Sequence, residues 1–188
     1  QMVSIRDLSR EFITENLRGN TVIAVVNARQ HFALSGSPED LAATRTALDS
    51  AVQAFNDSLE ERTIGGDPLE PQYTELPVAL PFHNAILAPA AERTVELATA
   101  CGLDTEIARE QAESILVHEH DWPQVLAELK SRHFIVLDRS LANITKRVVE
   151  GSGIVVVSAG SPQDLDALAI PGNSLPTSVD YSEFAPRV

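Results

Sequence analysis

The first 80 residues alternate between two spacings of apolar side chains, a spacing of two that is typical of strands and a spacing of three or four that is typical of helices. Short alternating or β-branched runs predict four strands, and the segments between them predict two helices. In chain order these elements are strand 2–5, helix 8–17, strand 21–27, strand 31–34, a helix that begins at residues 37–38, and strand 76–80. This order predicts a ferredoxin-like βαββαβ subdomain over residues 1–80.

The second of these helices has a strong start signal at Ser37-Pro38-Glu39-Asp40. Serine is a preferred N-cap, proline fits the first helical position, and acidic residues are favoured in the first turn. Residues 60–73 then lack periodicity and contain a Gly-Gly-Asp-Pro sequence, so they predict a flexible surface loop.

The pattern after residue 80 is helical at first and then alternates between strands and helices. The predicted elements are helices 86–100, 104–116 and 121–131, strand 134–137, helix 141–150, strand 154–157 and a last helix from residue 161. The two strands are continuous apolar runs, which is typical of buried parallel strands. Residues 81–170 therefore predict an α/β core, and the Pro-, Gly- and Ser-containing residues 171–188 predict a linker or extended arm.

A histidine lies where the pattern changes from apolar strand to helix. The apolar run that ends at Pro81 is followed by His83 and then by the apolar residues of the next helix. A reactive side chain is well placed at such a junction, and so is a structural or surface histidine. The spacing alone leaves both interpretations open.

Composition narrows the classes of function. The 188 residues contain 27 Asp and Glu against 14 Lys and Arg, for a net charge of −13, and no stripe of basic residues could follow a phosphate backbone. We therefore expect no nucleic-acid partner. The chain also has no apolar run long enough to span a bilayer, and its single cysteine, Cys101, fits a reducing compartment, so we expect a cytoplasmic protein without a membrane partner.

Three histidines with neighbouring acids could be considered as metal ligands. His118 and His120 flank a predicted helix start, and His133 follows some distance later. No second pair at zinc-like spacing accompanies them, so the sequence predicts no metal site.

The segment Pro81-Phe82-His83-Asn84-Ala85-Ile86-Leu87 resembles the P-[FS]-H-[ST]-x-[LM] motif of malonyl-CoA:acyl carrier protein transacylases. Asn27 and the alternating strand after it, up to Ser35-Gly36, resemble the stretch that precedes the histidine motif in that family. Three later segments resemble the malonyl/palmitoyl acyltransferase region of actinobacterial type I multifunctional fatty acid synthases, namely Ile115-Leu116-Val117 with Asp121-Trp122, residues 134–138, and Phe184-Ala185-Pro186. The matches span almost the whole chain.

The resemblance implies a fold and a set of roles. In that family a ferredoxin-like subdomain is inserted into an α/β hydrolase-like core, and a serine in G-x-S-x-G attacks the acyl thioester while a histidine acts as general base. His83 takes the position of this histidine. A backbone carbonyl near Glu119 is expected to orient it, and Asn27 takes the position of the substrate-side asparagine.

The nucleophile of that family is missing from this sequence. No G-x-S-x-G occurs, and the nearest sequence, Gly172-Asn173-Ser174-Leu175-Pro176, lies in the Pro-rich tail. We therefore expect the chain, which opens on Gln1, to be the C-terminal part of an acyltransferase domain and to be inactive alone. A non-glycine turn at 137–143 also departs from the family's L-D-x-G-P-G-D.

The implied partners follow from that interpretation. The parent would use CoA thioesters and phosphopantetheinyl acyl carrier protein, and this segment would bind no cofactor itself. Its partners would be the remainder of the synthase polypeptide, acyl carrier protein, acyl-CoA and, through an apolar face, a second copy. Two alternatives stay open, a ferredoxin-like module that binds a ligand or protein without catalysis, and a scaffold segment of a megasynthase.

Overall fold

The computed structural model describes residues 1–61, 66–128, 133–136 and 139–158. The chain divides into two compact units, Gln1–Leu129 and Lys130–Val188. The first unit contains β1 (Met2–Arg6), α1 (Arg10–Asn16), β2 (Val22–Ala28), β3 (His31–Ser35), α2 (Pro38–Glu61), β4 (Gln72–Glu75), a 3-10 helix (Ala85–Leu87), α3 (Ala88–Ala100), α4 (Thr105–Leu116), β5 (His120–Asp121) and α5 (Trp122–Glu128). The second unit contains β6 (His133–Val136), α6 (Arg139–Val148) and β7 (Val155–Ser158).

The sheet of the first unit has the strand order β4-β1-β3-β2-β5. β1 runs antiparallel to both β3 and β4, and β2 runs antiparallel to β3. Together with α1 and α2, these four strands form the predicted ferredoxin-like βαββαβ subdomain, which is thereby confirmed. β5 then pairs parallel to β2 and extends the same sheet with residues from well beyond position 80. The predicted boundary at residue 80 stays a prediction.

One face of this sheet is covered by α1 and α2. Its core consists of large apolar side chains that alternate along the strands with those of the other face. The most deeply buried of them include Ile5, Ile13, Phe32 and Leu48, each at most 1% exposed. This face holds most of the large apolar side chains that stabilise the described part of the unit.

The opposite face of the sheet carries smaller residues and is covered by irregular chain. Met2, Ala24 and Ala33 form a small cluster there, against which Leu76, Val78 and Phe82 pack. The buried polar residues Ser4 and Ser35 lie on the alternate strand positions that this face shares. The segment that leads to His83 therefore lies across the sheet.

The structure corrects the predicted strand at residues 76–80, because the fourth strand is Gln72–Glu75 and pairs with β1. The predicted loop 60–73 is accordingly shorter at both ends, since α2 reaches Glu61 and Tyr73 lies in β4. Residues 62–65 of that loop lie outside the described residues. Pro77 and Pro81 have no backbone N–H for a sheet ladder, whereas tyrosine and threonine favour strands. The apolar run covers the sheet instead of joining it.

The helix starts that the sequence predicted are confirmed by capping contacts. Ser37 Oγ accepts a hydrogen bond from the Asp40 N–H at 3.0 Å, and Asp121 Oδ1 accepts one from the Gln124 N–H at 2.8 Å. Asp104 Oδ1 accepts from the N–H groups of the two residues that follow Thr105, at 2.9 and 3.1 Å. The caps place α2, α4 and α5 where the polar residues predicted them.

Helices α3 and α4 pack against each other through small residues. Ala91 and Val95 of α3 contact Ala108 and Ala112 of α4. Large apolar side chains remain about half exposed nearby, namely Leu97, Leu103, Ile107 and Ile115. The expected second copy on an apolar face stays a prediction.

The second unit is a strand-helix-strand segment. β6 and β7 pair in parallel from His133↔Val155 to Val136↔Ser158, and α6 lies between them in sequence. The predicted parallel strands are thus confirmed within one residue of their predicted bounds. The predicted last helix and the tail 171–188 lie outside the described residues. In the described parts of the chain, no helix combines the length and apolar character that crossing a bilayer requires.

Candidate active site

His83 has an unusual backbone conformation. Its φ is +57°, in the left-handed region that residues with a side chain adopt rarely and that is costly unless the surroundings hold it. The residue follows the irregular segment over the sheet and directly precedes Asn84, the N-cap of the 3-10 helix Ala85–Leu87. A strained histidine at a junction between elements is a feature that clusters at functional sites.

The ring of His83 is oriented by a backbone carbonyl. Its Nδ1 lies 2.8 Å from the carbonyl oxygen of His118, in the loop between α4 and β5. A carbonyl oxygen only accepts hydrogen bonds, so Nδ1 carries the proton that it donates. In the neutral ring this leaves Nε2 with a lone pair, which is the arrangement a general base needs.

A second imidazole lies beside the first. The ring centroids of His83 and His120 are 6.1 Å apart, and the His120 ring also stacks on Trp122 at 6.0 Å. Burial lowers the pKa of His120, the neighbouring His83 lowers it further, and Asp121 acts in the opposite direction. His120 therefore favours its neutral form next to the candidate base.

Glu119 lies one residue after the carbonyl that contacts His83. The sequence interpretation placed this carbonyl near Glu119, and the structure places it at His118. The carboxylate of Glu119 instead forms a bidentate ion pair with Arg10, with N···O distances of 2.9 and 2.8 Å. The pair joins α1 to the loop that supplies the carbonyl.

Asn27 lies near the end of β2, next to the point where β5 joins the sheet. Val25 pairs with His120 and Val26 pairs with Asp121, so Asn27 follows directly after that pairing. A cavity of about 460 Å³ opens at this end of β2. Its lining includes Arg10, Arg29, Gln30 and Asp121. The role of Asn27 stays a prediction.

Two other kinds of site are excluded by the geometry of the described residues. Ser4 Oγ lies 3.0 Å from His31 Nε2, but Ser4 is only 7% exposed within the sheet, so a substrate carbonyl has no access to it. Among the side chains in the described ranges, no group of three or more His, Cys, Asp and Glu is placed to hold a metal ion.

Asn84 is a site residue that sequence reasoning did not single out. It is 3% exposed, and its side-chain Oδ1 accepts a hydrogen bond from the Ile86 N–H at 3.0 Å. The signal was present in the motif, where Asn84 stands in place of the family's serine or threonine. All three residue types are good N-caps, so the preference for a capping side chain could have identified it.

Comparison with known proteins agrees with this architecture. Residues 1–75 match the fatty acid synthase central AT domain family. The fatty acid synthase beta subunit pkiC of Emericella nidulans is 30% identical over 168 residues, which cover 77% of this chain and 9% of that subunit.

Solved acyltransferase structures are similar to this chain in fold. An acyl carrier protein S-malonyltransferase from Vibrio cholerae has a TM-score of 0.64 at 16% identity, covering 89% of this chain and 57% of its own. A malonyl-transacylase solved in complex with its type II polyketide synthase acyl-carrier protein has a TM-score of 0.64 at 18% identity, covering 92% and 58%.

The chain spans a small part of the synthase subunit and a little over half of these transacylases. An actinobacterial source stays a prediction. The fold is thus that of the malonyl-CoA:acyl carrier protein transacylases, and the sequence is related to fatty acid synthases in their acyltransferase region.

Proposed function

We propose that this chain is the part of a fatty acid synthase acyltransferase that carries the general base, and that the parent transfers malonyl or other acyl groups from CoA to acyl carrier protein. The observation that carries the proposal is the arrangement of His83, whose Nδ1 is bound to the His118 carbonyl so that Nε2 is left as an acceptor. A strained histidine on this fold is well suited to receive a proton from an alcohol.

The proposed reaction has two half-steps. A serine hydroxyl elsewhere in the parent gives its proton to His83 Nε2, and its oxygen forms a bond to the thioester carbonyl carbon. The carbon–sulfur bond then breaks, and the CoA sulfur takes the proton from His83. The thiol of acyl carrier protein then gives its proton to Nε2, and its sulfur forms a bond to the acyl carbon. The ester bond to the serine oxygen breaks, and that oxygen takes the proton back from His83.

The sequence lacks the G-x-S-x-G segment, so the proposal places the attacking serine elsewhere in the parent. Two observations support the proposal besides the histidine. The neutral form that His120 favours puts no fixed positive charge beside His83, which would otherwise oppose proton uptake. The malonyl-transacylase solved with its acyl-carrier protein has this fold, so an acyl carrier protein is the proposed acceptor.

The test is a transfer assay on the complete parent polypeptide. We expect malonyl transfer from malonyl-CoA to acyl carrier protein, detected as a mass increase of the carrier. The isolated chain is expected to transfer nothing and to form no acyl adduct. A complete parent that moves no acyl group from any CoA thioester would exclude the proposal.

A binding module without catalysis is the second candidate. A cavity of about 240 Å³ lies beneath α2, lined mainly by apolar residues such as Leu34, Leu41 and Tyr73. Arg45 covers the Tyr73 ring at 4.1 Å. A small apolar ligand that binds there and raises the melting temperature of the isolated chain would favour this candidate.

A further inference from the structure

Asn84 is tied to the sheet by both hydrogens of its side-chain amide. Nδ2 donates to the carbonyl oxygen of Asn20 at 3.0 Å, just before β2, and to that of Ser35 at 3.1 Å, at the end of β3. A carboxamide is fully used when its oxygen also accepts, as it does here from the Ile86 N–H. The side chain therefore connects the turn after His83 to two strands at once.

The backbone of Asn84 is fixed as well. Its N–H donates to the carbonyl oxygen of Leu116 at 3.0 Å, and its own carbonyl accepts from the Leu87 N–H at 2.9 Å. Leu116 ends α4, two residues before the carbonyl that binds the His83 ring. Asn84 thus contacts the sheet, the 3-10 helix and the segment that orients His83.

The left-handed φ of His83 needs such fixation, because a residue with a side chain leaves this region when its neighbours release it. The sheet face beneath carries the small cluster of Met2, Ala24 and Ala33, and Phe82, the residue before His83, packs against it. The two hydrogen bonds that the buried Asn84 amide donates add a directional restraint on the residue after His83. Buried polar groups also have a strong preference for one arrangement, since an unpaired one is costly.

We infer that Asn84 is a positioning residue for His83, and that its two bonds to the strand carbonyls keep Nδ1 of His83 on the His118 carbonyl and Nε2 free. The inference deepens the proposed function and rests on it only for its kinetic consequence. The substitution of asparagine for the serine or threonine of the motif then has a physical reason, because only the amide offers two donors in addition to a capping oxygen.

The deciding variant is Asn84→Ser, which keeps an N-cap oxygen and removes both donors to the strands. The measurement is nuclear magnetic resonance of isotope-labelled histidine in the full chain, which reports which ring nitrogen of His83 carries the proton. We expect the wild-type chain to show the proton on Nδ1. In Asn84→Ser we expect a mixture of the two tautomers, because the ring is no longer held against the carbonyl.

A matched control separates positioning from loss of stability. Thr44 is 1% exposed, and its hydroxyl accepts from the Arg18 N–H at 3.0 Å on the helix-covered side of the unit. Thr44→Val removes this interior bond without touching the His83 turn. It is expected to lower the melting temperature and to leave the His83 tautomer unchanged.

Asn84→Thr provides a second reading if Asn84→Ser does not fold, because the methyl group fills part of the space of the amide. An unchanged Nδ1 tautomer in whichever variant folds would overturn the inference. So would an equal change in Thr44→Val, since the effect would then follow stability alone.

The kinetic consequence is measured in the complete parent. We expect Asn84→Ser to lower kcat by about 10- to 100-fold with KM within about twofold, as a misplaced catalytic group does. A parent without transfer would refute the proposed function while the tautomer measurement still decides the inference. An active parent with unchanged kcat in Asn84→Ser would refute the inference alone.

Discussion

The two faces of the five-stranded sheet are built by different means. The face under α1 and α2 is packed with large apolar side chains such as Phe32 and Leu48, both at most 1% exposed. The other face carries Met2, Ala24 and Ala33 under irregular chain, and the turn above it is held by hydrogen bonds. The apolar packing on the first face stabilises the fold. The second face fixes one side chain, His83, in a conformation it would not adopt freely.

The largest change in stability is expected from a substitution that disrupts the apolar face. Leu48→Ala removes a fully buried side chain and is expected to lower the free energy of unfolding by about 2–5 kcal/mol. Phe55→Ala on the same helix is the control, because Phe55 is 39% exposed and its truncation should matter far less. Urea unfolding measures both. Equal losses in the two variants would mean that the apolar face is not the stabilising one.

The next effect concerns strain on the other face. His83 has a φ of +57°, so the free energy of unfolding of His83→Gly is expected to exceed that of His83→Ala by about 1 kcal/mol. Glycine has no side chain that disfavours the left-handed region. Asp7 has a φ of +66° in the turn before α1 and provides the comparison pair. Alanine at position 83 as stable as glycine would show that the turn is relaxed.

A smaller effect tests the ion pair beside the site. Arg10 and Glu119 form a partly exposed bidentate pair, so Glu119→Gln is expected to lower the free energy of unfolding by about 0.2–1 kcal/mol, and by less at high salt. A double-mutant cycle with Arg10→Ala measures the coupling. The His83 tautomer should not change, since the carbonyl belongs to His118. A changed tautomer would assign the pair an orienting role.

The smallest effect is the pH dependence of stability due to His120. Its pKa is lower in the folded chain than in the unfolded chain, first through burial and then through His83. The unfolded chain therefore binds the proton first as pH falls from about 7. Stability attributable to His120 is complete above the unfolded pKa and is lost as pH falls toward the folded pKa.

His120→Gln removes this titration and leaves the other acid-sensitive groups in place. The variant is expected to lose less stability than the wild-type chain between about pH 7 and 5, measured as the difference in urea midpoint. Parallel curves for the two proteins would contradict the lowered pKa.

The elements that local chemistry encodes were predictable. The cap of α2 at Ser37 and those at Asp104 and Asp121 follow from side chains that bond their own helix, so no distant contact is needed. The βαββαβ order was likewise readable from apolar spacing. Such features need only neighbours in sequence.

The features that depend on distant contacts were missed. The run at residues 76–80 has the apolar pattern of a strand, but it lies over the sheet, where Leu76 and Val78 pack against the small apolar cluster of that face. Position 83 carried a motif histidine, and the family resemblance placed its carbonyl partner near Glu119, one residue from His118. Its left-handed φ is not visible in a local pattern. The capping role of Asn84 could be read from the motif, but its bonds to Asn20 and Ser35 could not, since these residues are 64 and 49 positions away.

The proposed roles of the His83 imidazole as base and of the His118 carbonyl as its orienting partner are tested most directly by comparing two histidine variants in the complete parent. His83→Ala removes the proposed base and is expected to lower acyl transfer by about 10²–10⁴-fold. His118→Ala keeps the backbone carbonyl that orients the ring, so transfer is expected to stay within about threefold of wild type. Equal losses in both variants, or full transfer without the imidazole of His83, would contradict the proposed role of His83.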